Sequence, residues 1–369
     1  GKSTLLKTFH EHEKKNKRAI AMTATTGVAA LNITGQTLHR FFGIAIQTNP
    51  WHADELRESK RWFVIAQKIK CAEAIVIDEC SMLRADVFAL IERVARYATE
   101  VDRPFGGVPV ILTGDFLQLP PVYRKTDDSD TEEKYVFETE LWSKMGFSNF
   151  VLERNYRQTD QDFLRALNEI RFGRCPPWVD EMMKGRERAD LRTSLKPISF
   201  VPHRATAEKI NARNLKELPE APHVYDATVT GHDAWIRERI LESCPADEKL
   251  VLKLGAQVMV LINAADLSYV NGSMGVVVDF DPAGYPWVRI ERTGAKFLFA
   301  PHTWEWRDVQ DRLIASIRQV PVALAYATTI HKSQGLTLDY IDIDCAGIFT
   351  SGQAYVALSR VRSLDGLCL

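Results

Sequence analysis

The sequence predicts an α/β fold in which parallel sheets are flanked by helices and one half carries a small β-rich insert. Three observations carry this reading. Short apolar runs alternate with helical patterns through the first third of the chain. The texture changes near Glu220, and a β-rich, turn-punctuated stretch runs from Leu250 to Trp306. The α/β texture returns beyond Val320.

The elements follow in order. Leu5 to Lys14 reads as a helix with Leu5, Leu6 and Phe9 on one face. Ala19 to Met22 reads as a strand. Ala74 to Ile77 is an apolar run without alternation, as expected of a strand covered on both faces. Asp86 to Ala98 sets Val87, Leu90, Ile91 and Val94 at helical spacing. Val108 to Leu112 is a further buried strand. Acidic residues between Asp127 and Glu133 read as a solvated surface loop. Later, Gln257 to Ile262, Gly275 to Phe280, Trp287 to Glu291 and Lys296 to Phe299 read as strands. Asn271-Gly272 and Ala283-Gly284 supply turns between them, as in a small β-barrel.

Composition narrows the function classes. The chain has 369 residues, enough for two or three domains, with 46% hydrophobic and 26% charged residues. That excludes a mainly disordered chain, a collagen-like fibre and a coiled coil. No apolar run approaches the roughly 18 residues that span a bilayer, which argues against a membrane protein. Lysine plus arginine number 47 against 48 acids, a net charge of -1. A uniformly basic nucleic-acid coat is excluded, but a local basic groove is not. Cys71, Cys80, Cys175, Cys244, Cys345 and Cys368 form no Cys-x-x-Cys pair and no zinc spacing. They read as reduced, mostly buried thiols of an intracellular protein.

The first chemical motif is Gly1-Lys2-Ser3-Thr4, which matches the end of G-x-x-x-x-G-K-[ST]. In that loop backbone N–H groups and a helix N-terminus cradle phosphates. Lys2 would reach the β- and γ-phosphates, and the Ser3 hydroxyl would bind Mg²⁺. The alternative is that these residues merely open a surface helix. Ile75-Val76-Ile77-Asp78-Glu79 is an apolar strand ending in two carboxylates. Asp78 would hold Mg²⁺, directly or through water, and Glu79 would orient and deprotonate the attacking water. The alternative is two acids capping the next helix.

Leu112 to Pro121 runs from a buried strand into a polar loop stiffened by Pro120 and Pro121. Gln118 is placed to contact the γ-phosphate and report its loss. Asp115, after Gly114, reads alternatively as a turn former. Arg157 follows the aromatic Tyr156, and Arg360 follows a short apolar run. Arginines offered to a phosphoryl group stabilise transition-state charge. A surface ion pair is the alternative for either.

Together these motifs resemble superfamily 1 helicases, and more closely their Pif and RecD-like branch. The resemblance covers nearly the whole chain. It includes Thr25 to Ala30, Thr37 to Gly43, Leu254 to Met259 with Val270 to Gly272, Ala327 to Asp339, and Tyr355 to Arg360. The segments Leu254–Gly272 and His331–Gly335 favour the Pif type.

What the resemblance implies is specific. The fold would be two RecA-like ATPase domains, residues 1–150 and 151–369, with ATP between them. Residues 43–70 would be a small strand-separating insert, and about 225–318 an insert holding an SH3-like barrel. Gly1, Lys2, Ser3, Thr4 and Asp78 would bind ATP and Mg²⁺, with Glu79, Gln118, Arg157 and Arg360 catalytic. Tyr156 would stack on the adenine. Gly335 would lie near the γ-phosphate and couple the site to DNA. The activity implied is ATP-driven 5′-to-3′ movement on single-stranded DNA with duplex unwinding. Implied processes are DNA repair, recombination and telomere maintenance.

Motif matches offer Thr25, Thr26, Thr37, His39, Phe42, His331 and Lys332 as DNA-binding residues. Such motors grip single strands through phosphate contacts and aromatic stacking. For His39 and His331 a hydrogen-bonded structural role is the alternative. Arg204 and Lys209 start a polar helix and line the strand path or a solvated face. In the insert, Trp51, Trp62 and Phe63 are the aromatics, and helical spacing reads Trp62 and Phe63 as core rather than wedge.

The expected partners are single-stranded DNA and tailed or forked duplexes, bound by a monomer inside the cell. The compartment would be the nucleus or mitochondrion in a eukaryote, or the cytoplasm of a bacterium or of a cell infected by a virus. Two other readings stay open: a nucleic-acid-stimulated ATPase or translocase that does not unwind, and an inactive binding fragment. Because Gly1 falls inside a phosphate loop, the chain as written is expected to fold poorly and hydrolyse little ATP. Gly366 to Leu369 reads as the start of a further strand.

Overall fold

The fold is described from a computed structural model, for residues 1–44, 52–123, 135–158, 160–191, 195–231, 237–238, 240–241, 244–264, 266–307, 313–348 and 350–369. Two compact units emerge. The first holds residues 1–154 with 230–244 and 304–316. The second holds 155–229, 245–303 and 317–369.

The first unit is built on α1 (Lys2–Lys15), β1 (Ile20–Ala24), α2 (Gly27–Asn32), β2 (Gln36–Thr37), α3 (Leu38–Phe42), α4 (His52–Glu58), α5 (Trp62–Cys71), β3 (Ala74–Asp78), α6 (Ala85–Thr99), β4 (Val110–Leu112) and α7 (Glu140–Met145). Its sheet is parallel throughout, in the order β2-β1-β3-β4.

Strand alternation sends side chains to opposite faces. Ile20, Met22, Ala24, Ala74 and Val76 pack with Leu6 of α1 and Ala29 and Ala30 of α2. Ala21, Ile75 and Ile77 pack on the other face with Phe41, Ile69, Phe88 and Ile91. Both faces are covered, which is why β1 and β3 show no polar alternation. Leu5 departs from the expected helix face: it is 56% exposed, whereas the adjacent Leu6 is buried.

Beyond residue 154 the chain carries α8 (Gln161–Arg171), α9 (Pro177–Lys184), β5 (Ile198–Val201), α10 (Arg204–Glu217), β6 (His223–Asp226) and β8 (Lys249–Leu252). Between β6 and β8 runs β7 (Thr228–Gly231). Then come β9 (Gln257–Val260), β10 (Met274–Phe280), β11 (Pro286–Ile290), β12 (Lys296–Leu298), β13 (His302–Arg307), β14 (Leu313–Gln319), β15 (Val322–Leu324), β16 (Ala327–Thr329), β17 (Ile341–Ile343), α11 (Gln353–Leu358) and β18 (Leu367–Cys368).

A second parallel sheet has the order β16-β5-β17-β18. The stretch expected as a barrel forms an antiparallel sheet in the order β12-β11-β10-β9-β15. The pair β6-β8 shares one apolar core with it. A further three-stranded sheet has the order β13-β14-β7. Gly272 and Gly284 take the left-handed turns expected of them, at φ 97° and 83°.

The insert is tied to the second parallel sheet through polar side chains. Buried Gln257 donates to the carbonyls of Lys196 and Ala325, and its own N–H donates to the Tyr326 hydroxyl. Asn211 of α10 accepts from the Tyr326 and Ala327 amides. The acidic stretch Asp127–Glu133 and Trp51 lie outside the described residues.

Candidate nucleotide and nucleic-acid sites

Helix α1 begins at Lys2, with Gly1 as a cap that offers no side chain. Its first turn holds no acid. Uncapped first-turn amides and the positive end of a 14-residue helix form an anion-attracting surface. Gly1 and Thr4 are exposed, and Lys2 and Ser3 half-buried. The Lys2 ammonium lies 3.7 Å from the Glu79 carboxylate, so the loop lysine faces the strand-end acids.

Asp78 closes β3 and is buried. Its Oδ1 accepts from the Glu79 amide at 2.9 Å and from the Thr113 hydroxyl at 2.5 Å. Among the described residues its Oδ2 accepts no hydrogen bond. Thr113 also donates its amide to the Ile77 carbonyl and accepts from the Cys80 amide. It therefore extends the pairing of β4 with β3 by one residue and orients the acid.

Motif reading gave Thr113 no role. The signal was available in register: Ile77 pairs with Leu112, so the next positions, 78 and 113, face each other.

Glu79 takes left-handed backbone angles, φ 54° and ψ 46°. Behind it the buried Cys80 thiol is pushed up to about 12, chiefly by burial, which leaves it protonated and inert. Gly114 is needed for close approach: a Cβ there would stand 2.6 Å from Cys80 Sγ. Asp115 is the turn former, accepting from the Leu117 amide through its side chain and from the Gln118 amide through its carbonyl. It also accepts from the Gln118 side-chain amide at 3.3 Å, fixing that residue.

The other candidates of the first unit divide. Thr25 donates its hydroxyl to the Glu79 carbonyl and its amide to the Asp78 carbonyl, so it abuts the acids directly. Thr26 accepts from the Ala29 amide at the start of α2. Thr37 caps α3, accepting from the Arg40 amide. His39 is half-buried.

Two expectations about aromatics are corrected. Phe42, offered for DNA contact, is fully buried with its ring edge-on to Phe41, inside the core. Phe63, read as core, is 77% exposed, while Trp62 packs on the core as expected. Helical spacing alone does not say which flank of α5 is covered.

In the second unit, Arg157 and Arg360 both bind backbone near the end of α11. Arg157 donates to the Thr337 hydroxyl at 3.0 Å and the Ser359 carbonyl at 3.3 Å. Arg360 is buried and donates to the Val356 carbonyl at 2.8 Å and the Ser359 hydroxyl at 2.7 Å. Gln158, buried beside them, donates to the carbonyls of Ser359 and Val361. Tyr156 is 73% exposed.

Gly335 is exposed at φ 84° in the turn after β16. Burial lowers the His331 imidazole below the ordinary histidine value. Exposed Lys332 pairs with Asp247 at 3.7 Å. Arg204 and Lys209 are exposed on α10, and Arg204 donates to Glu208.

Parallel sheets, a lysine at an uncapped helix start and a paired acid at a strand end define a P-loop ATPase. The chain belongs to the PIF1-like helicase family: that family's model matches residues 1–190, and the model of the DNA helicase Pif1 2B domain matches residues 236–280. It is 36% identical to the ATP-dependent DNA helicase Pif1 of Bdellovibrio bacteriovorus, covering 100% of this chain and 81% of that protein. It is 37% identical to human ATP-dependent DNA helicase PIF1 over 94% of this chain, but spans only 53% of that protein.

Among solved structures, Bacteroides Pif1 in complex with ADP-AlF4 superposes with a TM-score of 0.83 at 33% identity, covering 98% of this chain and 85% of that one. Bacteroides Pif1 bound to single-stranded DNA gives 0.66 at 34% identity, covering 100% and 85%.

Proposed function

We propose that this chain is an ATP-dependent DNA helicase that moves 5′ to 3′ along single-stranded DNA and unwinds tailed or forked duplexes. The observation that carries the reading is the Lys2–Glu79–Asp78–Thr113 cluster at the end of β3. It joins a phosphate-binding lysine, a candidate base and an oriented metal ligand.

The α1 amides, Lys2 and Thr4 would hold the phosphates of ATP. Asp78 Oδ2 and the Ser3 hydroxyl are hard oxygen donors suited to Mg²⁺. Among the described residues no cluster of three or more His, Cys, Asp or Glu could hold a metal, so phosphate and water would complete the shell. Bound there, Mg²⁺ would offset charge on the phosphate oxygens. Glu79 would orient and deprotonate water, and Gln118, fixed by Asp115, would sense the γ-phosphate. Arg157 and Arg360 would stabilise charge on the transferring phosphoryl group. Tyr156 offers its exposed ring to the adenine.

Thr25, Thr26, Thr37, His39, His331 and Lys332 would contact the strand. Thr25 supports coupling of DNA to ATP, since it bonds directly to the Glu79 carbonyl. Gly335 would relay the γ-phosphate state to the same strand. Among the described residues no helix is long and apolar enough to cross a membrane. We place the protein inside the cell, with its DNA, acting as a monomer.

The test is ATP hydrolysis with and without single-stranded DNA, and unwinding of a 5′-tailed duplex, by the purified protein. DNA-stimulated hydrolysis with 5′-tail-dependent unwinding is expected. Hydrolysis without unwinding would leave a translocase, and no hydrolysis would leave only a binding module.

A further inference from the structure

Ser359 stands between the two arginines and touches both. Its carbonyl accepts from Arg157 at 3.3 Å and from Gln158 at 2.9 Å. Its hydroxyl accepts from Arg360 at 2.7 Å and donates to the Val356 carbonyl at 3.0 Å. Arg360 Nε reaches the same Val356 carbonyl, closing a ring of three groups at the end of α11. Ser359 and Arg360 are 4% and 2% exposed, so these bonds are made away from water, where a lost partner is costly.

The neighbouring chain segments converge on the same point. Thr337, which accepts from Arg157 Nε, lies two residues after Gly335. Leu338 donates to the Arg360 carbonyl, and Arg362 donates to the Leu338 carbonyl. Gln158 spans the Ser359 and Val361 carbonyls and is itself held by Asn155. Three segments far apart in sequence thus meet around Ser359, the 155–158 segment directly and the 337–338 segment through Arg157 and Arg360.

We propose that Ser359 is a positioning residue that holds Arg157 and Arg360 in a single arrangement, the carbonyl setting one guanidinium and the hydroxyl the other. The proposal rests on the ATPase reading above, in which both arginines face transition-state charge. A fork displaced by a fraction of its length stabilises charge poorly, so the hydroxyl acts on turnover rather than on binding. The carbonyl is common to every residue type, which makes the hydroxyl the part a substitution can test.

The experiment compares Ser359→Thr, which keeps the hydroxyl, with Ser359→Val, which matches threonine in shape without it. Single-stranded-DNA-stimulated ATP turnover, ADP affinity and thermal midpoint are measured for both. Ser359→Thr is expected to keep kcat within about threefold, and Ser359→Val to lose about tenfold or more, with ADP affinity changed less than about threefold in either. In an Arg360→Ala background, Ser359→Val should cause no further loss.

Equal kcat in the Thr and Val variants would overturn the proposal. So would a further tenfold loss in the Arg360→Ala background, or a Val variant whose ADP affinity falls as far as its kcat. Failure of the ATPase reading would look different: the parent protein itself would show no hydrolysis, or Lys2→Ala and Glu79→Gln would leave its hydrolysis unchanged.

Discussion

The Lys2 ammonium and the Glu79 carboxylate stand 3.7 Å apart, each turned toward the other, with side chains 25% and 13% exposed. The residue proposed to hold phosphate and the residue proposed to activate water therefore neutralise one another. In the proposed mechanism an incoming γ-phosphate would compete for Lys2 and, by taking it, would release Glu79 toward water. Substitutions at the two positions should separate binding from chemistry. Glu79→Gln is expected to bind ATP at least as tightly as the parent while turnover falls about 10²–10⁴-fold. Lys2→Ala should weaken nucleotide affinity instead. Fluorescent-nucleotide titration alongside steady-state hydrolysis checks both, and unchanged hydrolysis in Glu79→Gln would remove its assignment as base.

Thr113 is expected to matter through Asp78. Thr113→Val keeps the shape but removes the hydroxyl that Asp78 Oδ1 accepts from. Partners of metal ligands typically carry about 10–100-fold in metal affinity or activity. The Mg²⁺ concentration giving half-maximal hydrolysis should rise in Thr113→Val and stay near the parent value in Thr113→Ser.

Gly114→Ala should destabilise the first unit. The new Cβ would meet Cys80 Sγ at 2.6 Å and the Cys80 backbone nitrogen at 3.0 Å. Overpacking of this kind costs about 1–3 kcal/mol. Adding Cys80→Ala should recover part of the loss, because the sulfur contact goes while the backbone contact stays. Thermal midpoints of the single and double variants decide this.

Phe42→Ala should act on folding. The ring is fully buried against Phe41, and emptying such a site costs about 3–5 kcal/mol. The variant's urea midpoint should fall sharply, while the folded fraction keeps its affinity for single-stranded DNA. Loss of DNA affinity with an unchanged midpoint would restore Phe42 to the strand path.

Burial lowers the His331 imidazole, and His302 is lowered by the same cause. The unfolded chain therefore takes up these protons first as pH falls through about 6.5. Stability conferred by the neutral rings is complete above that value and is lost below it, down to the depressed folded-state value. Urea midpoints at pH 7.5 and 5.5 should differ less in His331→Gln than in the parent, with His302 preserving part of the slope.

Much of the architecture could be read from the residues. The β1 and β3 runs lack alternation because both sheet faces are covered, and the Val87–Val94 spacing matches the buried side of α6. The order of motifs pointed to the family. Side-chain exposure was harder to read. Phe42 and Phe63 both sit on helices at apolar positions, yet one is buried and the other open, since neighbours distant in sequence decide which flank is covered. Thr113 and Ser359 were hidden for a related reason: each acts through a partner brought close only by strand register or by the end of α11. Segments 230–244 and 304–316 group with the first unit through contacts that no local pattern announces.

Glu79 adds one further consequence. It occupies the left-handed region at φ 54°, where a side chain is disfavoured and glycine is at ease. A change to glycine would relax the backbone at the very position that supplies the carboxylate. With Glu79 as the proposed base, selection for heat resistance alone would be drawn toward a sturdier and idle protein, and a demand for turnover would keep the carboxylate there.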